Sequence, residues 1–229
     1  CGECDGCKTN GKIPCKVGSA SNAKGTLIRG TRHLTREGET IQHHLGVSGF
    51  ATHAVVSELS VVPIGDDVPS DIAAIFGCAI LTGGGAILNE VEPKPEDSIA
   101  VVGLGGVGMS AIITAAALGV NEIVGIDMQP DKLEKALELG ATSALSPQEA
   151  EESGKRFSAV VEAAGHPKAL ETAYKVTGPG GLTVTVGLPA PDSTAQIDPL
   201  VMTSEARRLH GSYLGSSTVS YTHLTLPTK

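Results

Sequence analysis

Past residue 97 the chain alternates short apolar runs with longer amphipathic stretches. Ser98 to Val102 is a continuous apolar run, which predicts a strand buried on both faces. Val107 to Leu118 is Ala-rich with helical spacing and is stopped by Gly119. Glu122 to Ile126 predicts a second strand, and Pro130 to Leu139 a helix closed by Gly140. Thr142 to Leu145, Ala159 to Glu162, Leu182 to Val186 and Arg208 to Leu214 predict four more strands. Helical segments fill the gaps after Gln148, after Pro167 and near Leu200. Such alternation predicts an α/β fold, a doubly wound parallel sheet with helices on both faces.

The first seventy residues follow a different pattern. Residues 1 to about 24 are rich in Cys, Gly, Lys and Asn and carry neither period, so they predict a loop wrapped around something. Between residues 25 and 65, Phe50 to Val56 and Val61 to Ile64 alternate like β-strands. Ser70 can cap a helix opening at Asp71. Gly83-Gly84-Gly85 is expected to interrupt that helix and Ala86 to Val91 to resume it. The longest apolar stretch, Ile72 to Leu88, is broken by these glycines and by Gly77, so no membrane span is expected.

Composition narrows the picture. Only 3% of the 229 residues are aromatic, so the core must be built from Val, Ile, Leu and Ala, as suits a parallel sheet. A net charge of -8 argues against nucleic acid or an anionic membrane as partner. No signal peptide is visible, and a cytoplasmic protein is expected. The chain opens on a candidate metal ligand, Cys1, which suggests an N-terminal truncation. Val219 to Thr228 reads as a cloning scar, and 218–229 is expected to be a non-native tail.

The strand ending at Val102 runs into Gly103-Leu104-Gly105-Gly106-Val107-Gly108, and a helix follows. This is the context in which a G-x-G-x-x-G loop carries meaning. Gly103 permits the tight turn, Gly105 lets backbone approach a pyrophosphate, and Gly108 lets the helix pack on the strand. N–H groups at the helix start then face the phosphates. The next strand ends at Asp127, whose carboxylate can accept from both ribose hydroxyls and would repel a 2′-phosphate. That makes a Rossmann-type domain and favours NAD over NADP.

Four of the five cysteines lie in the first fifteen residues, as Cys1-x2-Cys4-x2-Cys7-x7-Cys15. Three readings compete. Four thiolates at this spacing can hold one tetrahedral zinc ion, closed and therefore structural. Bacterial ferredoxins share the x2 spacing, but their fourth cysteine follows after three residues and precedes Pro, whereas Lys16 follows Cys15. Disulfides fit poorly with an odd cysteine count. Zinc is the favoured reading. Cys78, in an apolar helix, reads by itself as an inert buried thiol. The seven histidines show no ligand spacing and are read as ordinary surface or core residues.

Taken together, these residues resemble the zinc-containing medium-chain alcohol dehydrogenases. CGECDGCKTNGKIPC resembles that family's structural-zinc lobe, and HHLGVSGFATHAVV the strands after it. FGCAILTGGGAIL resembles the segment carrying a catalytic-zinc cysteine, and VVGLGGVGMSAIITAAALGVNEIVGIDMQPDKLEKALELGA the cofactor domain. The resemblance implies a partial β-rich, GroES-like catalytic domain over residues 1–70 and an NAD-binding domain over 71–217. It implies that Cys78 is a ligand of a catalytic zinc, that Thr82, Val186 and Leu188 lie near the nicotinamide, and that Lys132 contacts a ribose. For Val186 and Leu188, plain sheet core remains an equal alternative. The expected reaction is hydride exchange between a small alcohol or aldehyde and NAD, in a homodimer or homotetramer that pairs through the segment Ile197 to Leu214. The family's other catalytic-zinc ligands and its proton relay precede the lobe, so no complete catalytic set is expected here and the fragment is expected to be inactive alone. A zinc-stabilised NAD-binding module without redox chemistry and a polyol or glutathione-adduct dehydrogenase remain the alternatives.

Overall fold

The computed structural model describes residues 1–9, 13–46, 49–56 and 61–215. The expected tail, 218–229, lies outside the described residues. The chain divides between Val68 and Pro69 into two compact units.

In the first unit two helices, α1 (Asp5–Lys8) and α2 (Lys16–Ala23), replace the expected loop. They are followed by a hairpin of β1 (Leu34–Arg36) and β2 (Glu39–Ile41). Its two-residue turn, Glu37-Gly38, has positive φ at both positions (53° and 85°), the geometry that matches strand twist. The strands expected over Phe50 to Val56 and Val61 to Ile64 do not form. Phe50 and Val55 are fully exposed, and no described strand lies beside them. Alternation makes a strand only where a partner and a core accept it.

The second unit opens with a helical run, Ser70–Val91. It comprises α3 (Ser70–Ile75), a π-helical turn (Phe76–Ile80), α4 (Leu81–Gly85) and a second π-helical segment (Ala86–Val91). Ser70 is its first residue rather than its cap, which is Pro69. The glycine triplet does not interrupt the run, because tertiary packing overrides propensity here. Thr82 through Ile87 are buried. A Cβ on Gly83 would lie 2.0 Å from the Val107 carbonyl oxygen, so only glycine lets two helix backbones approach this closely. An 18-residue window of this run has mean hydropathy 1.8, enough by length and composition alone to cross a membrane, but Thr82 through Ile87 are core of this unit.

The remainder alternates strand and helix: β3 (Ser98–Val102), α5 (Gly106–Ala117), β4 (Glu122–Ile126), α6 (Pro130–Glu138), β5 (Ser143–Leu145) and α7 (Pro147–Glu152). Then come β6 (Phe157–Glu162), α8 (Pro167–Val176), β7 (Thr177–Thr185), α9 (Pro199–Ser204) and β8 (Arg208–Gly211). The six strands form one parallel sheet in the order β5-β4-β3-β6-β7-β8. Side chains alternate across β3. Ile99 and Val101 pack with Ile112 and Ala115 of α5 on one face, and Ala100 and Val102 with Ala173 and Val176 of α8 on the other. Each fully buried Val or Ile contributes about 1.5–3 kcal/mol. The strand order reverses between β3 and β6, so loops leaving their carboxyl ends diverge and open a crevice there.

Candidate functional site

In the first unit the sequence folds back to gather sulfur. Cys4 caps α1, and the Cys7 N–H donates to the Cys4 carbonyl at 3.0 Å. Gly6 lies between them, where an added Cβ would be 2.5 Å from the Pro14 carbonyl oxygen. This contact lets the Pro14-Cys15 segment lie directly on α1. Cys15 then caps α2, its Sγ accepting from the Gly18 N–H at 3.2 Å.

The four sulfurs of Cys1, Cys4, Cys7 and Cys15 all lie within 4.8 Å of one another. Three pairs are tighter: Cys1–Cys7 at 3.9 Å, Cys4–Cys7 at 3.7 Å and Cys4–Cys15 at 3.9 Å. Sulfurs each about 2.3 Å from a tetrahedral zinc ion would stand roughly 3.8 Å apart, so the donors fit that ion in number, type and spacing. The backbone N–H groups of Cys7 and Lys16 lower the Cys4 thiol to about 6. Burial raises Cys15, but hydrogen bonds to its sulfur, that of the Gly18 N–H first among them, outweigh it and leave that thiol below its ordinary value.

In the second unit the glycine loop lies at the carboxyl end of β3, at the reversal of strand order. Gly103 has φ 90°, and a Cβ there would lie 2.6 Å from the Ala164 nitrogen. At Gly108 a Cβ would lie 1.9 Å from the Gly103 carbonyl oxygen, so α5 packs against the turn only without a side chain. Gly105 caps α5 with no side-chain hydrogen bond, and a Cβ there would meet nothing within 4 Å. The first-turn N–H groups of α5, from Gly106, Val107 and Gly108, therefore have no intrahelical acceptor. This is the arrangement that receives phosphate.

Asp127 follows β4 directly and is half-buried. Its Oδ2 accepts from the Leu104 N–H at 2.7 Å and its Oδ1 from the Gln129 N–H at 3.0 Å. One carboxylate thus joins the glycine loop to the start of α6, with Lys132 in the first turn of that helix. Thr82 is buried in α4. Val186 is half-buried against the sheet core while Leu188 is 76% exposed. Cys78 is exposed rather than buried, and among the described residues no set of three or more ligand-bearing side chains includes it.

Glu162 belongs to no motif in the sequence. It closes β6, is 1% exposed, and accepts three hydrogen bonds. The available signal was a single acidic residue ending the otherwise apolar run Ala159 to Val161.

Comparison with known proteins agrees with this fold. An alcohol dehydrogenase zinc-binding domain protein from Burkholderia ambifaria superposes with TM-score 0.88 at 29% identity, over 98% of this chain and 63% of its own. Benzyl alcohol dehydrogenase from Acinetobacter calcoaceticus gives TM-score 0.83 at 28% identity, over 97% of this chain and 62% of its own. L-idonate 5-dehydrogenase from Escherichia coli shares the fold, with TM-score 0.69 at 20% identity, over 98% of this chain and 61% of its own. The chain therefore spans less than two thirds of each of these structures. Residues 106–226 match the zinc-binding dehydrogenase family, an oxidoreductase family to which the chain belongs.

Proposed function

We propose that the chain is part of a zinc-dependent alcohol dehydrogenase that exchanges hydride between a small alcohol or aldehyde and NAD. The observation carrying this is the crevice after β3, where free first-turn N–H groups of α5 and the Asp127 carboxylate stand on neighbouring strand ends. The N–H groups of Gly106, Val107 and Gly108 would hold the pyrophosphate, and Gly105 would admit it. Asp127 would accept from the adenosine ribose hydroxyls, with Lys132 nearby on α6. Thr82, Val186 and Leu188 would border the nicotinamide. NAD, when bound, supplies the hydride acceptor.

The four-cysteine cluster would hold a structural zinc ion, since four thiolates leave no open position for a substrate. Cys78 alone cannot hold a catalytic ion, which needs three protein ligands. Its isolation among the described residues supports the reading that the 229-residue chain binds cofactor without turning over alcohol. It is also the observation that keeps the second reading, an NAD-binding module without redox chemistry. The β8 edge, exposed at all four residues, supports pairing into a homodimer or homotetramer.

Calorimetric titration of the purified chain with NAD and NADP tests the cofactor. Binding of NAD in clear preference to NADP is expected, and equal affinity or no heat would refute it. Assay of the complete reading frame with a panel of primary alcohols, including benzyl alcohol, then separates the enzyme from the module.

A further inference from the structure

The least expected charged group in the second unit is Glu162. Carboxylates are almost never fully buried unless paired. Among the described residues this one is met by hydrogen-bond donors instead of a basic side chain. Its Oε1 accepts from the N–H groups of Ala164 (2.8 Å) and Gly165 (2.7 Å), and its Oε2 from the Thr185 hydroxyl (2.7 Å). Its own carbonyl accepts from the N–H groups of Val186 (2.9 Å) and Gly187 (3.3 Å). One residue therefore ties the loop after β6 to the segment leaving β7.

Those two segments meet backbone to backbone. A Cβ on Gly187 would lie 2.2 Å from the Gly165 nitrogen, and one on Gly165 would lie 3.0 Å from the Leu188 nitrogen. Ala164 in turn abuts Gly103 of the glycine loop. With the adenosine ribose at Asp127 and the pyrophosphate at α5, a dinucleotide spanning the strand-order reversal must lay its other half over the ends of β6 and β7. We propose that Glu162 is a positioning residue that sets the wall of the nicotinamide half of the crevice. It would act through the backbone of Ala164, Gly165 and residues 186–188 without touching the ligand. This inference rests on the NAD reading above.

Two ligands that differ only by nicotinamide test it: NADH, followed by its fluorescence, and ADP-ribose, followed by calorimetry. The wild-type 229-residue chain is measured first. If it binds neither, the NAD reading itself falls. If it binds ADP-ribose but gains nothing from nicotinamide, that reading survives in its adenosine half and the inference about Glu162 falls. With both bound, Glu162→Ala leaves three donors unmatched, and loss of such a buried network should weaken NADH about tenfold. Its ADP-ribose affinity should stay within about threefold, since the pyrophosphate and adenosine-ribose contacts lie at the start of α5 and at Asp127. Glu162→Gln keeps an acceptor for both N–H groups and should bind both ligands as wild type does. Should Glu162→Ala fail to fold, Thr185→Val removes one of the three donors and should lower NADH affinity selectively, about threefold. Equal losses for the two ligands, or no loss for either, would overturn the assignment.

Discussion

Replacing Gly83 by Ala should separate α4 from α5. The added Cβ would lie 2.0 Å from the Val107 carbonyl oxygen, 2.9 Å from the Ala111 nitrogen and 2.9 Å from the Ser110 Cβ. The two nearest atoms are backbone, so no rotamer change relieves the contact and the helices must part. Overpacking of this kind typically costs about 1–3 kcal/mol, and a backbone clash belongs at the upper end. Alanine recovers about 1 kcal/mol of helix propensity. The net loss is about 2 kcal/mol, which for a chain of this size lowers Tm by about 4–8 °C.

Two further glycines of the same run serve as internal controls. A Cβ on Gly77 meets nothing within 4 Å, so Gly77→Ala should raise Tm, through a gain of about 0.5–1 kcal/mol. At Gly84 the nearest atom is the Thr114 hydroxyl oxygen at 3.1 Å, on a side chain that can rotate, so Gly84→Ala should be nearly neutral. Thermal unfolding followed by circular dichroism ranks the three. Because Val107 belongs to the phosphate-facing first turn of α5, Gly83→Ala should also weaken NADH binding, whereas Gly77→Ala should not. A Gly83→Ala chain that melts at or above wild type would show that these helices do not meet backbone to backbone.

Zinc analysis of the purified chain should give one ion per polypeptide, and Cys4→Ser should abolish it. With Cys4 lowered to about 6 from 9.0, the stabilisation its thiolate gives is fully present above about pH 9 and disappears as pH falls through about 6. Metal-free chain should accordingly react with iodoacetamide at Cys4 with a midpoint near pH 6, and a midpoint near 9 would contradict the N–H contacts. Asp127→Asn should weaken NAD about tenfold while leaving NADP within about twofold, narrowing the preference; an unchanged ratio would remove Asp127 from the ribose.

How much of this could be read from the sequence depended on where the ordering forces act. β3 and β4 match expectation to the residue, because strands buried on both faces leave an unbroken apolar run between turn residues. The glycine loop was equally legible, since strand, turn and helix all write local signals. The glycine triplet was misread for the opposite reason. Its meaning lies in Val107 and Ala111, more than twenty residues away, and helix propensity contains nothing about a distant backbone. Phe50 to Val56 alternates like a strand but has no described sheet to join. The cysteine spacing announces a cluster, whereas nothing local to Gly6 signals that it lets the Pro14-Cys15 segment close that cluster.

Asp127 and Glu162 show how one chemical group takes opposite roles at equivalent places. They stand at the ends of β4 and β6, the strands on either side of β3, and each carboxylate accepts backbone N–H groups of adjoining loops. The difference is access. Asp127 is half-buried, and each of its oxygens engages a single N–H, so lone pairs remain for hydroxyl donors from solvent or a ribose. Glu162 is enclosed, and its oxygens are already shared among two N–H groups and a threonine hydroxyl. The first can exchange ligands; the second can only hold what surrounds it. Amide substitution should therefore separate them. Asp127→Asn alters the charge presented to the ribose and changes cofactor preference, while Glu162→Gln, which keeps its internal acceptor, leaves binding intact.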